Sequence, residues 1–200
     1  MVNPESVDVV DEIDKLLDMG ISGFRLAPML RPDIHWYGTP KSERFWNKAD
    51  KHGLIFTLLV DLPQLIDLED TIRRYPNVIS VIDHMAHPER ETDPDHPLFR
   101  QMLKMAEIPN LFVKISALGV MSQQPFPHLD MIDYGRQTID AFGPSRCMWG
   151  TDHALSRHIC DMNAALECLD QLTQDLSEEE KEQIRGLCAA KLWKLDAKTI

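Results

Sequence analysis

Positive charge is in short supply in this sequence. Its 200 residues carry 21 Lys and Arg against 32 Asp and Glu, a formal net charge of −11 with a pI near 5.1. Nucleic-acid backbones are gripped by clustered Lys and Arg. No basic face is present, so no nucleic-acid partner is expected. Cysteine is scarce too. Cys147, Cys160, Cys168 and Cys188 show no C-x-x-C spacing, so no disulfide framework is implied, which fits a reducing compartment. Cys160 and Cys168 fall on related faces of one predicted helix and read as small core residues. No run approaches the ~18 apolar residues of a membrane span. The polar, acidic opening, residues 1–14, has no apolar h-region of a signal peptide. The expectation is a cytoplasmic protein with no membrane partner. Also missing are H-E-x-x-H, the P-loop, G-x-G-x-x-G and G-x-S-x-G, so no short motif names a chemistry.

What is present is an ample core and a regular alternation. Apolar residues make up 44% of the chain, and no repeat, linker or low-complexity segment divides it. Helical spacing over Val7–Met19 stops at Gly20. A strand is predicted over Ile21–Ala27, a helix over Ser42–His52, a strand over Leu54–Val60 and a helix over Pro63–Arg74. The pattern continues with a strand at Val78–Ile82, a helix at Pro97–Glu107 and a strand at Leu111–Ile115. It ends with a helix at Leu129–Phe142, a strand at Arg146–Trp149, and helices at about Ile159–Gln171 and Ser177–Leu195. Ser177 and Glu180 make a capping box for the last. Five strands, each followed by helix and several apolar on both faces, predict a parallel α/β sheet in one domain, residues 1–200.

The long irregular stretches, 28–41, 85–96 and 117–128, all follow strand C-termini, the end that carries ligands in barrels and open α/β sheets. Polar residues gather there: Arg25, Asp61, Asp83, His84, Lys114, Ser116, Thr151, Asp152 and His153. His and Asp are types that ligate a divalent metal or take a proton from water. Arg25 or Lys114 can hold a carboxylate or balance an oxyanion.

At these positions a family resemblance becomes specific. Gly20 to Leu26 is similar to the Gly-x-x-Gly-x-Arg-Leu strand of the amidohydrolase-2 family. Tyr75-Pro76-Asn77 with Val81-Ile82-Asp83-His84 resembles its "rfP…vvlDH" strand. Asn110 to Ser116 resembles "NvyvKlSg", Phe142 to Asp152 resembles "FGpdRlmfGSD", and Cys188 to Trp193 resembles the "NAarlf" ending. The resemblance implies a (β/α)₈ TIM-barrel type fold, incomplete, with about five consecutive βα units matching strands 4–8. The family's opening His-x-His strand has no counterpart here. Two further departures are Ala86, where the family has Gly after Asp-His, and His153, where it has an aromatic residue.

The resemblance implies His84 and Asp152 as catalytic residues and metal ligands, with Arg25, Lys114 and His153 on the substrate side. A divalent metal, zinc for choice, is implied for an intact enzyme, and none is required of this chain alone. The implied function is a metal-dependent hydrolase opening a lactone of a carboxylated or sugar-derived small molecule. A decarboxylase of the same superfamily and a non-catalytic barrel fragment are the alternatives. Open sheet edges imply a homo-oligomer. Among the other histidines, His87 and His96 are expected in solvent, His128 in a loop, and His52 and His158 on helix surfaces. His35, Trp36 and Tyr37 are either a substrate wall or loop packing.

Overall fold

A computed structural model describes residues 2–91, 93–153 and 161–195. Five parallel strands form one sheet in sequence order: β1 (Gly23–Leu26), β2 (Ile55–Leu58), β3 (Ile79–Ile82), β4 (Leu111–Ser116) and β5 (Cys147–Gly150). The helices are α1 (Val9–Asp18), α2 (Pro40–His52), α3 (Leu62–Arg74), α4 (Pro97–Lys104), the single turn α5 (Leu118–Met121), α6 (Ile132–Phe142) and α7 (Met162–Leu172). A last helical stretch comprises α8 (Glu178–Glu182), a π segment (Gln183–Leu187) and α9 (Cys188–Leu192). These are five consecutive βα units of the (β/α)₈ type.

The first three strands are shorter than predicted, β4 runs one residue further to Ser116 and β5 is shifted by one; the first strand shows how a boundary moves. Gly20 takes a left-handed φ of 86°, and the amides of Gly20 and Ile21 turn back to the carbonyls of Leu17 and Leu16. Gly20 thus stops the helix as predicted, and Ile21, the first residue of the predicted strand, is spent closing α1. At the other boundaries capping decides. Thr39 and Asp61 each form a reciprocal capping box, with Ser42 and Gln64. These boxes start α2 and α3 earlier than periodicity alone suggests. The Ser177–Glu180 box stands as read.

Alternation along the strands sorts side chains to two faces. Leu26, Phe56, Leu58, Ile82, Val113 and Cys147 join the main core with residues of the helices. There Phe56 stacks on Phe45 at 5.0 Å and meets Trp46 edge-on at 4.9 Å. The opposite face carries Ile55, Val81 and Met148, which pack with Ile79, Phe112, Cys188, Ala189, Leu192 and Trp193. The last helical stretch therefore covers the apolar floor of the sheet's other face, which open edges alone would leave bare. Further along the same alternation come Arg25, Asp83, Lys114 and Ser116. Cys168 is buried as expected; Cys160 and His158 lie outside the described residues.

Gly23 fixes where this second face begins. A Cβ built on it would stand 2.1 Å from the carbonyl oxygen of Ile55, so only glycine lets β1 approach β2 here. We expect Gly23→Ala to cost about 1–3 kcal/mol, as overpacking against backbone does. Thermal unfolding reads this as a lowered Tm. A Tm equal to the parent's would mean that β1 can move away without penalty.

Candidate active site

The strand C-termini carry a buried carboxylate between two cations. Asp83 Oδ2 accepts from Arg25 Nε at 2.9 Å, and Asp83 Oδ1 lies 2.8 Å from Lys114 Nζ. The Asp83 side chain is 2% exposed, Arg25 49% and Lys114 29%. A dry anion is thus held by two cations whose remaining donors face outward. Three strands supply the three charges, so their register and the electrostatics enforce each other.

His84 follows Asp83 and is buried. Its Nδ1 lies 2.8 Å from Ser116 Oγ at the end of β4. Burial pushes the imidazole pKa below the ordinary histidine value. Asp83 and Asp152 pull it up, and His87 and Arg25 push it further down. Desolvation wins, so the ring is held neutral where a free histidine would begin to charge. Asp152 sits at the end of β5 with a left-handed φ of 53°, within electrostatic reach of His84. His153, next in the chain, is exposed.

The turn holding His84 is unusual. His84, Met85, Ala86 and His87 have φ of 54°, 52°, 59° and 56°, a full left-handed turn closed by the His87 amide on the His84 carbonyl at 2.9 Å. Each non-glycine residue in this region costs roughly 1–2 kcal/mol. The turn brings the His84 and His87 rings together edge-on, centroids 5.3 Å apart. His87 Nδ1 in turn lies 3.2 Å from Glu89 Oε1.

Several sequence expectations change here. His87 is not solvated: its side chain is 14% exposed and paired with Glu89. His96 caps α4, accepting from the Leu98 amide. His128 lies in the loop before a helical turn, as expected, and is buried there with φ of 60°. Asp61 stands at a strand end, but its carboxylate accepts from the Gln64 amide as the cap of α3. Trp36 is core, and its carbonyl accepts from the Trp46 indole; His35 pairs with Glu5 on the surface. Arg25, His84 and Lys114 gather around Asp83, with Asp152 in electrostatic reach, as their strand-end positions predict. Sequence reading places Asp83 among the strand-end polar residues but does not foresee the pairing of His87 with Glu89. Ala86 in a glycine position was the available clue to the turn.

For a metal, the described residues offer His84 and Asp152. Both Asp83 oxygens are taken by cations, and His84 Nδ1 is taken by Ser116. No group of three or more His, Cys, Asp or Glu suited to a metal occurs among the described residues, whereas a catalytic zinc takes three protein ligands. This donor set does not by itself fit the ion.

Comparison with known proteins places these features. A family model described as Amidohydrolase matches residues 1–195. An L-fucono-1,5-lactonase of Burkholderia ambifaria is 31% identical over 208 residues, covering 98% of this chain and 69% of that protein. An amidohydrolase of Burkholderia multivorans, crystallised with bound zinc, superposes with a TM-score of 0.83 at 19% identity, over 96% of this chain and 71% of its own. A probable 2-pyrone-4,6-dicarboxylic acid hydrolase of Acinetobacter baumannii, with citric acid bound, gives 0.80 at 16%, over 97% and 71%. At those identities the structural likeness is one of fold.

Two stability measurements test the geometry. Arg25→Met with Lys114→Met strands a dry carboxylate and should cost about 3–5 kcal/mol. Asp83→Asn leaves two cations that water can reach and should cost less. Urea unfolding orders them, and a costlier Asp83→Asn contradicts the hub. Separately, Ala86→Gly should add about 1 kcal/mol by relieving the left-handed strain; an unchanged midpoint would mean the turn carries none.

Proposed function

The chain belongs to the amidohydrolase family, and from that membership we propose that it opens a lactone by attack of water at the sheet's C-terminal end. The supporting observation is the 31% identity to a sugar lactonase over nearly the whole chain, joined to a buried imidazole beside a strand-end aspartate. Neutral His84 holds the water by a hydrogen bond. Asp152 takes the water's proton as its oxygen attacks the carbonyl carbon. The negative charge that develops on the carbonyl oxygen is balanced by Arg25 and Lys114, whose outward donors Asp83 leaves available. Collapse breaks the bond to the ring oxygen, which receives the proton from Asp152, and the product is the open hydroxy acid. His153, exposed at the rim, meets the substrate. His84 and Asp152 are the two donors this chain would contribute to a divalent ion. A small-molecule lactone is the only partner the reading needs. No helix among the described residues is long and apolar enough to cross a membrane.

The test is proton release on a lactone panel, with chelator and with added zinc. Asp152→Asn should lower turnover by about 10²–10⁴-fold, the scale of a lost general base. Asn tolerates a left-handed φ well, so its melting curve should match the parent's. His84→Asn should act in the same direction. Parent-like turnover in Asp152→Asn removes the proposed base, and a parent chain that opens no lactone under either condition removes the whole reading.

A further inference from the structure

Ser116 is a buried hydroxyl that the proposed reaction does not use. It ends β4, two residues beyond Lys114 and so on the same face. The register that pairs Ile82 with Val113 carries it past Asp83, beside the turn that holds His84. On its other side the register partner is Gly150 of β5, which brings no side chain to compete for the hydroxyl. Ser116 is 3% exposed, and its Oγ lies 2.8 Å from His84 Nδ1. Among the described residues this is the hydroxyl's one hydrogen bond.

The direction of that bond decides what His84 can do. Burial keeps the ring uncharged, and a neutral imidazole has one N–H and one lone pair, either of which a hydroxyl can face. If Nδ1 carried the proton, Ser116 would accept it, and the serine's own O–H would be buried with no acceptor among the described residues. A buried donor left unpaired forfeits its hydration and gains nothing in return. If Nδ1 carries the lone pair, the Ser116 O–H donates to it and is satisfied. The ring proton then sits on Nε2, the nitrogen left for the site.

We propose that Ser116 is a positioning residue that holds His84 as its Nε2–H tautomer, a hydrogen-bond donor. The inference rests on the reading of His84 as the residue that holds the attacking water, and it gives that contact a direction. Nε2–H donates to the water oxygen, so both water protons stay free and one of them is directed to Asp152. A lone pair on Nε2 would instead take a water proton and compete with Asp152. The assignment also bears on metal binding, because a ligating nitrogen must offer a lone pair. His84 would reach a divalent ion through Nε2 only by moving its proton to Nδ1 and reversing the bond to Ser116. That reversal would strand the serine proton, in keeping with a donor set that does not by itself fit the ion.

The experiment reads the tautomer in the full chain, with chelator present and no lactone. Long-range ¹H–¹⁵N NMR of the histidine rings is recorded at a pH where His84 is uncharged, with His84→Asn to assign its signals. Nε2 should be the protonated nitrogen, and Nδ1 should show a lone pair displaced by an accepted hydrogen bond. Ser116→Ala should release that displacement and let the Nδ1–H form appear. It should also lower kcat for lactone opening about tenfold, the scale of one lost hydrogen bond, with KM little changed. Ser116→Thr keeps the hydroxyl and should restore both the ring signals and turnover. A parent ring protonated on Nδ1 overturns the proposal, and the parent spectrum alone decides this even if a variant fails to fold. An unchanged Nδ1 signal in Ser116→Ala, or an unchanged kcat in a chain that opens lactones, overturns it as well. An Nε2–H ring that responds to Ser116→Ala in a chain that opens no lactone upholds the pair and removes the hydrolytic reading instead.

Discussion

Asp83 is the residue on which the site depends. It is the dry member of a three-charge cluster whose cations come from β1 and β4. If the carboxylate were moved or neutralised, Arg25 on β1 and Lys114 on β4 would face each other with no anion between them. With it in place, both cations are fixed with donors to spare, and the next residue, His84, enters the site at a set height. An exposed ion pair would be worth little. This one gains its leverage because its anion is almost wholly withdrawn from water while its cations are not. Its function is geometric as much as energetic, and the imidazole, Ser116 and the left-handed turn all take their positions from it.

The same burial that fixes Asp83 tunes His84. Desolvation lowers the imidazole pKa more than the two nearby carboxylates raise it. The sign matters for folding as well as for chemistry. A histidine whose folded pKa is depressed gives the fold stability above its unfolded value, and that stability is lost as pH falls and the ring charges. The neutral ring useful to the reaction and the neutral ring favoured by the fold are therefore the same state.

Much of this was legible in the sequence, for a definite reason. Strands are punctuated by apolar runs and glycines, and a parallel sheet puts their C-terminal residues on one rim. Arg25, His84 and Lys114 gather around Asp83 because position along a strand is a one-dimensional property. Loop conformation is not. Ala86 in a glycine position hints at one left-handed residue, but nothing in Met85 or His87 announces four in a row, since each residue alone avoids that region. His87 therefore reads as solvated when it is packed on His84. Asp61 shows the converse error: a strand-end carboxylate looks functional until the Pro63 and Gln64 that follow are recognised as the start of a capped helix.

The acceptors and donors of the rim divide by chemistry. Around Asp83 lie cations with free donors, suited to an oxyanion or a carboxylate. Beyond the turn, His87 Nδ1 faces Glu89 Oε1 at 3.2 Å. His84 stands between the two, bonded to Ser116 and packed on His87. The cation side is therefore the part of the rim suited to negative charge, and the buried, neutral imidazole marks its boundary, because desolvation there opposes a charge that Arg25 and Lys114 on the other side of Asp83 would welcome.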